Sequence, residues 1–338
     1  MIDQTDKLKT DSRTSPLLIL VVPCYNEEEI IEKSAAVLAD KVRRLMGDMI
    51  ISEGSRILFV DDGSSDSTFS IISRLCAEDS IYSTVKLAGN SGHQNAILAG
   101  MMTAKDTADI VVTIDADLQQ DIEALDLFID KYRSGCEIVY GVRNDRHTDG
   151  WVKKSTASMY YRMMRMFGSK VIANHADYRL VSSKALNALA GYSEVNLFLR
   201  GLIPTMGFAS DIVYFDVKER EAGTSKYTVK KMLKLAMDGI TSFSTVPLHM
   251  ISAAGCIVVA LAVIMCIIAV IDWIYGKNVP GYTTLLIVML VSTGSILLSL
   301  GVIGEYVAKT YMETKRRPHY IIDSVIWQEP QKGKAENG

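Results

Sequence analysis

Three short stretches combine carboxylates, amides and hydroxyls in patterns suited to handling a phosphorylated ligand. The sharpest is Thr113-Ile114-Asp115-Ala116-Asp117-Leu118-Gln119-Gln120-Asp121, which follows an apolar run. In extended chain, residues two apart share a face, so Asp115, Asp117 and Gln119 point to one side. Three such oxygen donors suit a hard cation, Mg²⁺ or Mn²⁺. That ion bridges a diphosphate and neutralises the charge growing on it as a leaving group. The second stretch is Val60-Asp61-Asp62-Gly63-Ser64-Ser65-Asp66-Ser67-Thr68. Its adjacent carboxylates close a strand, where they accept hydrogen bonds from a base N–H or from ribose hydroxyls, and Asp66 is placed to cap the following helix. The third is Val22-Pro23-Cys24-Tyr25-Asn26-Glu27-Glu28-Glu29. There Asn26 stands where a helix cap belongs, with three glutamates in the first turn, where the helix dipole favours them. Neither G-x-G-x-x-G nor G-x-x-x-x-G-K-S/T occurs, which removes the usual support for dinucleotide or P-loop binding.

The elements that must position these residues alternate. Short β-branched runs over 17–22, 56–60, 84–87, 110–114 and 137–142 predict strands, and a further strand is expected over 212–217. Helical patterns occupy 28–46, 67–77, 93–103, 122–133 and 151–167. The strands are nearly all apolar, as strands covered on both faces are, and the alternation predicts an α/β domain with a largely parallel sheet. The five cysteines are scattered and form no C-x-x-C pair, which argues against a zinc site or a disulfide framework. A net charge of −3 gives no argument for nucleic acid. No apolar segment in the first residues is long enough for a signal peptide.

Hydrophobic residues make up 49% of the 338-residue chain, and the excess lies after Pro247. The runs 250–271 and 282–304 contain no charged residue, and each is long enough to span about 30 Å of hydrocarbon. Lys226, Lys230, Lys231 and Lys234 precede the first run, and Lys309, Lys315, Arg316 and Arg317 follow the second, so both flanks are expected in the cytoplasm. The segment 228–243 reads as a basic amphipathic helix, lying either in the membrane interface or on the globular domain. Glu305 and Tyr306 end the second run as an interfacial anchor or a headgroup contact. Gly294, Gly301 and Gly304 allow close helix approach, which makes an oligomer plausible. The expected division is a flexible 1–15, a catalytic domain 16–227, a juxtamembrane helix 228–246, spans 248–273 and 282–305, and a cytosolic tail 306–338.

The three motifs, in this order, resemble glycosyltransferase family 2, whose members have the Rossmann-like GT-A fold with a mostly parallel sheet. Further stretches extend the likeness: Asn90-Ser91-Gly92-His93-Gln94-Asn95-Ala96, Ala176-Asp177-Tyr178-Arg179-Leu180, Phe198-Leu199-Arg200-Gly201 and Arg220-Glu221-Ala222-Gly223-Thr224-Ser225-Lys226-Tyr227. With the paired apolar runs, these are similar to the polyprenyl-phosphate glycosyltransferases of the bactoprenol glucosyltransferase and dolichol-phosphate mannose synthase type. The likeness covers roughly 16–320, and His93 departs from the more usual Gln. It implies a membrane enzyme of two spans with a nucleotide-sugar donor, UDP-glucose first among them, a polyprenyl phosphate acceptor and Mg²⁺ or Mn²⁺. It also implies a homo-oligomer, perhaps a tetramer.

By that resemblance Pro23, Tyr25, Glu27 and Asp62 hold the nucleoside, and Asp115, Asp117 and Gln119 hold metal and diphosphate. Arg143 grips the lipid phosphate, helped by Lys153 or Lys154, Arg220 and Lys226. Asp177 matches a position given a general-base role. Chemistry leaves a second role open: a phosphate monoester with a second pKa of about 6 is already ionised near neutral pH and needs no base. Asp177 then orients the sugar or Arg179. Three other readings are weaker. A processive polysaccharide synthase needs a Q-x-x-R-W motif and more spans. A non-enzymatic scaffold does not need an intact Asp115, Asp117 and Gln119 set. A phosphatase needs its nucleophile on the first strand.

Overall fold

The computed structural model describes residues 13–144, 175–192, 194, 199–216, 246–275 and 281–327. The chain divides into two compact units, one holding a sheet and one holding two long helices. In the first unit the chain runs β1 (Leu18–Cys24), α1 (Ile31–Gly47), β2 (Arg56–Asp61), α2 (Thr68–Glu78), β3 (Tyr82–Leu87), α3 (His93–Ala104), β4 (Ile110–Thr113), α4 (Ala124–Arg133) and β5 (Ile138–Arg143). It continues with β6 (His175–Ser182), α5 (Ser183–Leu189), α6 (Leu199–Thr205) and β7 (Ser210–Phe215).

One eight-stranded sheet results, in the order β7-β5-β6-β4-β1-β2-β3-β8, where β8 is Ile322–Ile326. Strands β1 to β4 are mutually parallel, and β7 runs parallel to β5. The pairings of β6 with β4 and β5, and of β8 with β3, are antiparallel. The fold is therefore α/β with a mixed, mostly parallel sheet. Alternate residues of β1 face opposite sides. Leu18, Leu20 and Val22 pack with α1, α2 and α4, while Ile19 and Val21 pack with α3, α5 and α6. Both faces are dry, which is why the strand sequences lack a polar alternation. Pro23 costs β1 no ladder bond to β4, because that pairing stops at Val21.

Helix α3 lies very close to the sheet. A Cβ on Gly100 would fall 2.4 Å from Val21 Cγ1 and 2.8 Å from Val60 Cγ2. This approach brings the start of α3 to the carboxyl ends of β1 and β2. Strand order reverses between β1 and β4, and that switch point is where open α/β sheets leave a crevice for ligands.

Observed elements fall within a few residues of the expected ones, with three differences. The first helix begins at Ile31, not Glu28: the Asn26, Glu27 and Glu28 N–H groups bond to the second motif, and residues 28–30 form only a turn ahead of the helix, closed on the Glu27 carbonyl. Strand β6 was not anticipated: its polar start, His175 to Asp177, masks a strand whose eight residues are all buried. Residues 322–326, expected in a cytosolic tail, return to the sheet as β8. The expected helix over 151–167 lies outside the described residues, as does that over 228–246 apart from Val246, which opens the next helix.

In the second unit, α7 (Val246–Ile274) has 29 residues and α8 (Tyr282–Thr314) has 33, so α8 continues well past the expected end at 305. Isoleucines 257, 264, 267 and 268 of α7, and Leu297, Leu298 and Leu300 of α8, are more than half exposed. Among the described residues, one segment is long and apolar enough to cross a membrane by length and composition, Val291–Thr314.

Candidate active site

The first and second motifs are zipped together at the ends of β1 and β2. Ser64 Oγ accepts from the Asn26 N–H at 3.0 Å, and Asn26 Oδ1 accepts from the Ser65 N–H at 2.9 Å. Thr68 Oγ1 accepts from the Glu27 N–H at 2.8 Å, and Glu28 Oε2 accepts from the Ser67 N–H at 2.9 Å. Asn26 sits at φ 54°, a left-handed conformation that asparagine tolerates. Asp66 is not the expected cap: Ser67 holds that position without a side-chain cap bond, and Asp66 Oδ1, one residue earlier, accepts from the Thr68 N–H at 3.0 Å. Tyr25 is left half-exposed at the mouth of this zipper.

Asp62 turns away from solvent. Its two oxygens accept from the Ser91 N–H at 2.7 Å and the Gly92 N–H at 3.0 Å. Gly63 permits this close approach, with φ at +68° and no room for a Cβ, which would meet the Gly89 backbone carbon at 2.6 Å. Burial raises the Asp62 carboxyl above its ordinary value, and the two amide bonds offset only part of that. The loop so fixed starts α3. From there Gln94 Oε1 accepts from the Leu199 N–H at 3.0 Å, tying the start of α3 to α6.

The third motif leaves β4 beside β6. Thr113 pairs with Arg179, and continuing that antiparallel register by two residues sets Asp177 opposite Asp115. Thr113 Oγ1 donates to the Asp177 carbonyl. His93 Nε2 stands between the two acids, 3.5 Å from Asp115 Oδ1 and 3.5 Å from Asp177 Oδ2. Arg200 holds Asp177 with both forks, Nε to Oδ1 at 3.1 Å and Nη2 to Oδ2 at 2.8 Å. The buried Arg179 donates to the same carboxylate. Burial alone would raise Asp177, but the bond with His93 and the charges of Arg179 and Arg200 outweigh it and hold the group well below the usual carboxylate range. Asp115 moves the other way. Burial raises it, the charges of Asp177 and Asp117 add to the rise, and His93 and Arg143 oppose it. Partial burial lowers His93, but its two acidic neighbours more than compensate and raise it.

Residues 19–189 match the model of the family "Glycosyl transferase family 2". The chain belongs to glycosyl transferase family 2. It is 44% identical to the uncharacterized glycosyltransferase YkoT of Bacillus subtilis (strain 168) over 94% of each chain. It is 37% identical to the prophage bactoprenol glucosyl transferase homolog of Escherichia coli (strain K12), covering 90% of this chain and 98% of that relative. The bactoprenol glucosyl transferase of Shigella phage SfX is 36% identical, with coverage of 90% and 98%. The protein is thus a family 2 glycosyltransferase, and its sheet is the GT-A-like arrangement.

In this glycosyltransferase Asp115 leaves β4 beside Asp177 of β6, inside the sheet, near enough for the charges of Asp177, Asp117 and Arg143 to act on it. Gln119 offers its backbone N–H to Asp117 Oδ1 at 3.1 Å. The amide that engages Asp115 belongs to its neighbour Gln120. Lys153, Lys154, Arg220 and Lys226 lie outside the described residues. Among the described residues, no three His, Cys, Asp or Glu side chains converge as a ready cation site. The donor set nevertheless fits a hard divalent ion. It is oxygen-based, and Asp115 is burdened by neighbouring anions that a cation would relieve. Arg200 and His93 were missing from the residue roles drawn from sequence. Both stand in stretches that carried the family resemblance, yet neither spacing nor residue type reveals that they meet at Asp177.

Proposed function

We propose that this glycosyltransferase moves a sugar from a nucleotide-sugar, UDP-glucose first among candidates, to a polyprenyl phosphate at the cytoplasmic face of a membrane. The observation that carries this reading is the charge arrangement past the carboxyl end of β4: Asp115 and Asp117 on one side, and the arginine-bound Asp177 on the other, bridged by His93. The names of two relatives, similar over nine-tenths of this chain, support a prenyl phosphate acceptor and a glucosyl donor.

In this reading Pro23, Tyr25, Glu27 and the loop held by Asp62 receive the nucleoside. Asp115 and Asp117, with Gln119, hold Mg²⁺ or Mn²⁺, which when bound neutralises the diphosphate. Two anions must approach one anomeric carbon, so the cationic side chains Arg143 and Arg200 screen the acceptor, aided by Lys153, Lys154, Arg220 and Lys226. Asp177 is held ionised by two guanidinium groups and a histidine, which makes it a poor proton acceptor. The acceptor phosphate is already mostly ionised near neutral pH, its second pKa being about 6. Asp177 therefore orients Arg200 and His93. In-line attack by the phosphate oxygen forms the new C–O bond as the bond to the diphosphate breaks, inverting the anomeric centre.

The chain's connectivity supports two membrane crossings. Strands β7 and β8 belong to one sheet, so a segment between them that enters a bilayer must cross it an even number of times. The helices α7 and α8 supply the two crossings, and the basic flanks put the catalytic domain and both termini in the cytoplasm. Purified membranes incubated with labelled UDP-glucose, UDP-N-acetylglucosamine or GDP-mannose, Mg²⁺ and undecaprenyl phosphate test the reading. Mass analysis should find a hexosyl phosphoryl undecaprenol from UDP-glucose. Label that stays water-soluble with all three donors would refute it.

A further inference from the structure

We propose that Gln120 is a positioning residue that aims Asp115 at the donor diphosphate and its cation; this rests on the donor-site reading above. The two residues are joined twice. Gln120 Oε1 accepts from the Asp115 N–H at 3.0 Å, and Gln120 Nε2 donates to Asp115 Oδ2 at 2.6 Å. The reciprocal pair closes the six-residue stretch 115–120 that carries Asp117. Gln120 is 1% exposed, so its amide cannot turn to solvent or reach a ligand itself. One oxygen of Asp115 is thereby fixed on Gln120, and the other, Oδ1, stays on the side of His93.

The surroundings make the amide specific. A side chain here must accept from a backbone N–H and donate to a carboxylate at once, which glutamine does and a carboxylate does not. A carboxylate at 120 would add another anion beside Asp115, Asp117 and Asp177. The loop is also under strain, since Leu118 sits at φ 54°, a conformation that persists only where surrounding bonds over-determine it. Besides the Gln120 pair, the Gln119 N–H donates to Asp117 Oδ1 within the loop, and two longer-range bonds hold its backbone. Ser34 Oγ–H donates to the Ala116 carbonyl at 2.6 Å, and Tyr178 O–H donates to the Asp121 carbonyl at 3.2 Å. Those two fix the backbone, and Gln120 holds the Asp115 carboxylate through Oδ2, leaving Oδ1 3.5 Å from His93 Nε2.

The test uses the full-length protein in detergent, with UDP as probe, its affinity measured by calorimetry with and without Mn²⁺. Gln120→Glu and Gln120→Met are compared with Asp115→Ala. Partner residues behind metal ligands lower metal affinity by about tenfold to a hundredfold when changed. Both Gln120 variants are therefore expected to weaken Mn²⁺-dependent UDP binding by about that factor. The metal-free UDP affinity should stay near that of the unaltered protein, while the melting temperature should fall, because the Asp115 N–H and Oδ2 each lose a partner. The KM for UDP-glucose should rise, while the KM for undecaprenyl phosphate should not. If one variant fails to fold, the other decides. Unchanged Mn²⁺-dependent binding in a folded Gln120 variant, with Asp115→Ala defective, overturns the inference and leaves the donor site standing. Equal loss with and without Mn²⁺ also overturns it, since that marks a role in folding only. Intact Mn²⁺-dependent binding in Asp115→Ala, or none in the unaltered protein, overturns the donor-site reading and this inference with it.

Discussion

Asp62 and Asp115 each belong to an acidic pair at the carboxyl end of a parallel strand, yet the fold treats them in opposite ways. Asp62 gives both oxygens to backbone amides of the loop before α3 and is 3% exposed. Asp115 gives one oxygen to a side-chain amide and keeps the other beside His93, with its side chain 28% exposed. Burial raises the carboxyl in each case, but Asp62 is offset by fixed N–H groups, whereas Asp115 faces further anions. A carboxylate bonded to backbone builds the site. One left beside other anions is kept for a cation or a reacting group.

The largest effect should come from the open pair. Asp117→Ala is expected to lower sugar transfer by roughly a thousandfold, the scale of losing a principal electrostatic contact, with the circular dichroism spectrum unchanged. Undiminished transfer by that variant would remove the distinction between the two acidic pairs. Next is the cationic side. Arg143→Ala should raise the KM for undecaprenyl phosphate about tenfold or more, since a hydrogen bond to a charged group contributes about 1.5–3 kcal/mol, while UDP affinity holds. Equal losses in both assays would count against a lipid-phosphate role.

Asp62→Ala tests the other half of the comparison. It strands the Ser91 and Gly92 N–H groups and should cost about 1–3 kcal/mol of stability, read as a lower melting temperature. Gly63→Ala should follow it, because its Cβ collides with the Gly89 backbone. A stable Asp62→Ala that has lost only nucleotide binding would recast Asp62 as a direct ligand contact.

The smallest effect is a pH dependence at Asp177. Its folded value is depressed below the ordinary 3.8, so its contribution is complete above that value and fades as pH falls through the folded one. The melting-temperature gap between the unaltered protein and Asp177→Asn should be steady between about pH 6 and pH 4 and shrink below about pH 4. A gap that persists unaltered into strong acid would mean that the two arginines and His93 do not hold the group ionised.

Much of this was readable from sequence because it is local. The five strands before residue 144 announce themselves as short apolar runs, and each chemical motif sits at the carboxyl end of one. The meeting of Asp115 with Asp177 was not readable. It depends on β6 entering the sheet antiparallel between β4 and β5, and its opening residues, His175 to Asp177, carry no strand pattern. Strand β8 escaped for a similar reason: an exposed edge strand of five residues, following a long helix, has too little apolar alternation to separate it from a tail. The glutamates of the first motif looked like a helix start, because their chemistry suits one equally well. Only the neighbouring loop of β2 draws them away.

The anomeric configuration of the product is the most direct test of an ionised acceptor attacking opposite a metal-held diphosphate. Proton NMR of the glycolipid made from UDP-α-glucose should show a β-linked sugar phosphate. An α-linked product would contradict the single displacement on which this account of the site depends.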